Sequence, residues 1–169
     1  MKEINFRNDI LPLKNQLYRL ALRITLNPAE AEDVVQETLI RIWNRRDQWE
    51  TYDSVEALCF KICRNLALDA NKRKDNQTSS LMEVTLEQSD PSDPQKQLLQ
   101  SERLAEVKRI IDALPEKQKS CIQLREFEGF AYKKIAETIG ISEEQVKICI
   151  YRARQTIKSQ FKKFEDYGL

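Results

Sequence analysis

The side chains with the clearest chemical potential stand near the C-terminal end of the sequence. Lys147, Arg154 and Lys158 recur there at the spacing that turns helical side chains to one side, with Arg152 beside them and Ile148, Tyr151 and Gln155 interleaved. Ammonium and guanidinium groups in such a row neutralise phosphates, and the apolar and aromatic side chains between them can meet base edges. The chemistry implied is the binding of a nucleic-acid duplex. A solvated basic face on an ordinary helical hairpin would carry the same residues, so the elements that present them matter.

Those elements are legible. Val146, Ile150, Ala153, Ile157, Phe161 and Phe164 fall on the side opposite the cations and predict a long helix with one face in a core. Ser142 is a good N-cap for it, and Glu143 and Glu144 complement the positive helix start. Upstream, Ala131 to Ile139 places Ile135, Ala136 and Ile139 on one face of a short helix, which Gly140 ends by taking a positive φ. Two helices, a glycine corner and a basic outer face make a helix-turn-helix, whose second helix fits the major groove.

The other residue types narrow the chemistry. With 33% charged and 41% hydrophobic residues, the 169-residue chain can bury one modest core or two small ones. Apolar residues recur by threes and fours without sustained alternation, which predicts an all-α protein. The net charge of +1 leaves no overall basic field, so attraction to DNA must come from local patches. There is no histidine, and Cys59, Cys63, Cys121 and Cys149 lack paired C-x-x-C spacing, so neither a zinc site nor a cofactor is expected. Buried, reduced thiols are the favoured reading. Without histidine, a Gly-rich phosphate loop or a metal-ligand cluster, the chain is not expected to be an enzyme or to take a small-molecule substrate. It shows neither an N-terminal apolar signal region nor a run of about 18 apolar residues, so a cytoplasmic location is the default expectation.

From the N-terminus, Asn8 to Thr25 predicts a first amphipathic helix, with Pro12 in its first turn. Asn27-Pro28 stops it and starts a second, running to about Arg46. Arg45 to Asp53 has no helical stripe but sets Trp49 and Tyr52 beside Arg45 and Arg46, which suits stacked bases and phosphates; Trp49 suits a core plug equally well. Ser54 caps a third helix to Lys74, with Leu58, Ile62 and Leu66 expected inward. Asp75 to Gln97, rich in Ser, Thr, Gln, Asp and Pro, reads as a linker, and two further helices, Leu98 to Leu114 and Glu116 to about Phe127, precede the helix-turn-helix. The expected fold is all-α: two small helical domains, 1–75 and 98–169, joined by a flexible linker over 76–97, the second containing the helix-turn-helix.

Three phrases carry a family resemblance: AEDVVQETLIRIW (31–43), RNLALD (64–69) and EGFAYKKIAETIGISEEQVKICIYRAR (128–154). Together they resemble bacterial RNA polymerase sigma factors of the extracytoplasmic-function (ECF) group, in family order and on both sides of the linker. The resemblance implies that Asp33, Gln36 and Glu37 meet core RNA polymerase, that Asn65 with Trp49 and Tyr52 captures a base of the opening promoter, and that Arg64, Lys72 and Arg73 lie along promoter DNA. Lys147, Ile148, Tyr151, Arg152, Arg154 and Lys158 then meet the upstream promoter element. An anti-sigma factor is a further implied partner. Two departures stand out: Leu58 where many members have tryptophan, and Ile148-Cys149 where Ser-Arg is commoner. The alternative is a transcription regulator that binds an operator without serving as a polymerase subunit.

Overall fold

The structure, a computed structural model, describes residues 3–75 and 94–167, which are built of helices and helical turns without a strand. They divide into two compact units, residues 3–75 in the first and 94–167 in the second.

The first unit opens with a π turn, Phe6–Ile10, and a 3-10 turn, Leu11–Leu13, ahead of α1, Lys14–Thr25. The single helix expected from Asn8 is therefore broken, and Pro12 explains why: lacking an N–H and bulky toward the preceding turn, it interrupts the ladder it was expected to begin. Asn5 caps the π turn by accepting the N–H groups of Arg7 at 2.9 Å and Asn8 at 3.2 Å. α1 ends at Leu26, which takes the left-handed conformation (φ +55°) without being glycine. The next helix, α2 (Pro28–Asn44), starts as expected, with the Asn27 side chain accepting the Glu30 N–H at 3.1 Å and Pro28 in the first turn.

α2 is followed by a 3-10 turn, Arg46–Thr51, and by α3, Val55–Asp75, whose first turn is capped by Ser54 Oγ accepting the Ala57 N–H at 3.1 Å. α1, α2 and α3 pack against one another as a three-helix bundle. Leu17 and Leu20 from α1, Val35 and Ile42 from α2, and Phe60 from α3 fill its centre. Of the side chains expected inward on α3, Ile62 is buried, while Leu58 and Leu66 sit at the rim and Cys59, Phe60, Cys63 and Ala67 fill the rest of the buried face. Small thiols allow α1 to approach closely there, with Cys63 Sγ donating to the Leu17 carbonyl at 3.4 Å.

Burial pushes the Cys59 thiol up to about 12, helped by the Glu56 charge, and burial likewise pushes Cys63 up to about 12. Near neutral pH both thiols would then stay protonated, and the thiolate is the reactive form. Cys59 and Cys63 are therefore expected to resist iodoacetamide in the native protein and to react once it unfolds. Peptide-resolved mass spectrometry of briefly labelled protein checks this, and rapid native labelling at either position would show that the thiols are not sealed.

The second unit holds α4 (Pro94–Asp112), α5 (Glu116–Glu126), α6 (Tyr132–Ile139) and α7 (Glu143–Tyr167). α4 begins four residues before the expected Leu98, and most of the expected linker lies outside the described residues. α7 is the hub, packing against α4, α5 and α6 through Val146, Ile150 and Ala153, all buried. Ile110, Ile122, Leu124 and Ile135 complete the core around it.

Candidate nucleic-acid and polymerase interfaces

In the first unit the outward side of α2 holds Asp33, Gln36 and Glu37, all exposed, while Ala31, Val34, Val35, Thr38 and Ile42 face inward. Glu37 pairs with Arg41 one turn on, at 3.0 Å. Ile40 and Trp43, 54% and 46% exposed, continue the same side. Sequence reasoning passed over these two, although they extend the i, i+3, i+4, i+7 row that starts at Asp33. Trp43 is held in place: Phe6 meets it edge-on at 5.2 Å and the Arg46 guanidinium lies 4.6 Å from its ring centre.

A groove of about 360 Å³ opens beside the end of α2, with Tyr52 and Asn65 on its lining. That size is typical of clefts that take small rigid groups, about 300–1,000 Å³. Leu58, Ile62 and Leu66 make its apolar wall, and Arg41, Arg45 and Lys61 bring three cations to it. Asn65 can donate to or accept from a base edge, and Asp69 adds an acceptor. The Tyr52 hydroxyl donates to Gln48 Oε1 at 3.4 Å. Lys61 and Asp69 were not expected here; their signal is the stripe Lys61, Asn65, Asp69 at i, i+4, i+8 on α3.

Two expected contacts fail. Trp49 is only 7% exposed, and its indole N–H donates at 3.0 Å to the Ile42 carbonyl, which also accepts the Arg45 N–H at 3.1 Å where α2 ends. Its ring lies nearly parallel to Phe6, 6.5 Å between centres, so no face remains for a captured base. Trp49 is a core plug. Arg64 is 8% exposed because it neighbours Cys63 on the buried side of α3, where the long stem packs instead of reaching outward. Lys72 and Arg73, by contrast, are exposed on the last turn of α3. That turn is clipped to the rest of the unit: Asn71 Nδ2 donates to the Ile24 carbonyl at 2.5 Å, and Lys74 Nζ reaches the Thr25 carbonyl at 3.1 Å and the Glu30 carboxylate at 2.7 Å.

In the second unit, Gly140 ends α6 with φ +84° and its N–H bonded to Ala136 at 2.8 Å, which is the corner the sequence called for. Ser142 and Gln145 then cap α7 reciprocally: Ser142 Oγ accepts the Gln145 N–H, and Gln145 Oε1 accepts the Ser142 N–H, each at 3.1 Å. The side of α7 away from the core presents Lys147, Ile148, Tyr151, Arg152, Arg154 and Lys158, every one exposed. Arg154 is tied to α5, its Nη2 donating to Glu126 Oε1 at 2.6 Å, and this hydrogen bond holds the guanidinium pKa above its ordinary value. Arg125 lies over the Tyr132 ring at 4.8 Å and donates to the Phe130 carbonyl at 2.9 Å, fixing the approach to α6.

A three-helix unit with a cation-lined groove and a second unit ending in a helix-turn-helix define a helical DNA-binding protein of two parts. Its matches say which one. Residues 10–77 match Sigma-70 region 2 and residues 104–157 match Sigma-70, region 4. The ECF RNA polymerase sigma factor SigL of Mycobacterium tuberculosis is 30% identical over 148 residues, covering 84% of this chain and 80% of the relative. The ECF RNA polymerase sigma factor SigE of Mycolicibacterium smegmatis is 28% identical over 151 residues, 88% of this chain, which spans only 58% of that relative. The sigma factor RpoE of Bartonella quintana, solved with the anti-sigma factor NepR, shares the fold with a TM-score of 0.69 at 22% identity, covering 93% of this chain and 96% of that one. The chain belongs to the ECF RNA polymerase sigma factors. No described helix is long and apolar enough to cross a membrane.

Proposed function

We propose that this chain is a transcription initiation subunit that directs core RNA polymerase to particular promoters and helps to open them. The observation that carries the reading is the groove of the first unit, where Tyr52, Asn65 and three cations converge; an operator-binding regulator has no use for a second nucleic-acid site of that kind. In this reading the α2 side with Asp33, Gln36 and Glu37 docks on core polymerase, and the groove takes a base freed from the melting duplex. Lys72 and Arg73 lie along the DNA backbone, and α7 enters the major groove of the upstream element. Polymerase does the chemistry. The protein works in the cytoplasm, where polymerase is, and an anti-sigma factor is a natural inhibitor, as NepR accompanies the solved relative.

The free protein should bind promoter DNA poorly. α7 offers Lys147, Arg152, Arg154 and Lys158, and Glu126 already engages Arg154. About four phosphate contacts at most compare with about six to ten for a strong autonomous binder. Core polymerase would hold both units on one duplex, so that after one element is bound the second is met at high effective concentration. Titrating a labelled promoter at physiological salt, with and without core polymerase, tests this: tight sequence-specific binding only in the holoenzyme is expected. Tight specific binding by the free protein would favour an operator-binding regulator instead.

A further inference from the structure

The outer side of α7 is not uniformly basic. On a wheel of about 100° per residue, Ile148 lies almost opposite the middle of the buried stripe formed by Val146, Ile150 and Ala153. It is 49% exposed. Tyr151, 64% exposed, stands three residues on, and side chains at that spacing are surface neighbours on a helix. Lys147 and Lys158 lie on one flank of this pair and Arg152 on the other. Arg154, on the Lys147 flank, is drawn toward α5 by its 2.6 Å bond to Glu126.

A helix seated in the major groove puts its flanks against the two phosphate strands and its central line against the base edges. Here the flanks carry the charge and the centre is apolar. The base edge that an apolar group recognises there is the thymine C5 methyl, the one apolar group the major groove displays. Guanine and cytosine have no methyl there, and seating Ile148 against the guanine N7 and O6 acceptors or the cytosine N4 donor would leave those atoms without partners.

We infer that Ile148 and Tyr151 are specificity-determining residues that read the methyl groups of two neighbouring thymines, so that the promoter element under α7 carries A·T pairs at adjacent positions. The spacing fits: three residues advance about 4.5 Å along a helix, close to one base step of about 3.4 Å. Arg152 and Lys147 then position the helix through phosphates, and Arg154 sets its angle through Glu126 without reading a base. This inference rests on the initiation reading and adds the identity of the bases recognised.

The test removes the methyl and nothing else. Promoters are first selected from a pool with a randomised upstream element, using core polymerase reconstituted with the full chain. Each thymine of the selected element is then replaced singly by deoxyuridine. Binding of the wild-type holoenzyme should weaken about fourfold at two adjacent positions, the effect of losing one buried methyl-sized contact. Ile148→Ala should abolish the discrimination at one of them while leaving the other, and Tyr151→Ala should do the reverse. Equal affinity for thymine and uracil throughout the element, retention of full discrimination by Ile148→Ala, or a selected element without adjacent A·T pairs would each overturn the inference while leaving the initiation reading standing. Selection of no sequence at all would overturn the initiation reading and this inference with it.

Discussion

Lysine at both Asp33 and Glu37 is expected to abolish binding to core polymerase and to leave the first unit folded. Both carboxylates are exposed on α2, so reversing them removes nothing from the core. Within the chain the cost is small: Glu37 pairs with Arg41 at 3.0 Å with both side chains about half exposed, and such pairs contribute about 0–1 kcal/mol. At an interface the sign changes matter more, because a positive patch built to meet these carboxylates would face two ammonium groups, and like-charge juxtaposition costs several kcal/mol. A pull-down at physiological salt, with circular dichroism to confirm the helices, measures both halves of the expectation. Wild-type retention of the double variant by core polymerase would place the docking surface elsewhere.

Trp49→Ala is expected to lower the unfolding free energy of the first unit by about 3–5 kcal/mol, the usual result of emptying a large aromatic site. The indole is 7% exposed and its N–H donates to the Ile42 carbonyl at 3.0 Å, so the truncation opens a cavity and removes one of the two hydrogen bonds that carbonyl accepts. Asn65→Ala, at an exposed groove position, should hardly change stability, within about 0.5 kcal/mol. Its effect should fall on promoter opening, which must offset a few kcal/mol of base unstacking. The two outcomes separate plug from reader. Urea-dependent labelling of Cys59 and Cys63 reports unfolding of this unit specifically, and permanganate footprinting of thymines reports opening. An unchanged urea midpoint for Trp49→Ala would mean that the ring is not structural, and normal permanganate reactivity with Asn65→Ala would remove the groove from the opening step.

That contrast also shows where the sequence was readable and where it was not. The helix-turn-helix was fully legible because each boundary has a chemical signature: Gly140 for the left-handed corner, Ser142 for the cap, and a long stripe of Val146, Ile150 and Ala153. The return bond in which Gln145 accepts the Ser142 N–H, completing the cap, was not foreseen. Short segments were harder. Between Arg45 and Asp53 no periodicity exists to say which of Trp49 and Tyr52 faces in, and the answer came from the Ile42 carbonyl at the end of α2, which only the folded turn brings within reach of the indole. On α3, cysteines and alanines compete with leucines for the buried face, and close approach to α1 favoured the smaller side chains, moving Arg64 inward and Leu58 to the groove. Leu58 thus forms part of the wall of the proposed base site.

The clip at the end of α3 bears on how fast and how cleanly the protein meets DNA. The terminal turns of helices usually fray, and side chains on a fraying turn must be ordered when a ligand arrives, which costs about 0.5–1.5 kcal/mol for each long side chain immobilised. Here Asn71 and Lys74 anchor that turn to the Ile24 and Thr25 carbonyls and to Glu30, on either side of Lys72 and Arg73. The backbone beneath the two cations proposed to lie along DNA is therefore settled during folding, and only their side-chain rotamers remain to be fixed on contact. The backbone share of the ordering entropy is moved from the encounter to the fold, so that in the proposed role those two charges would meet the double helix from a settled base.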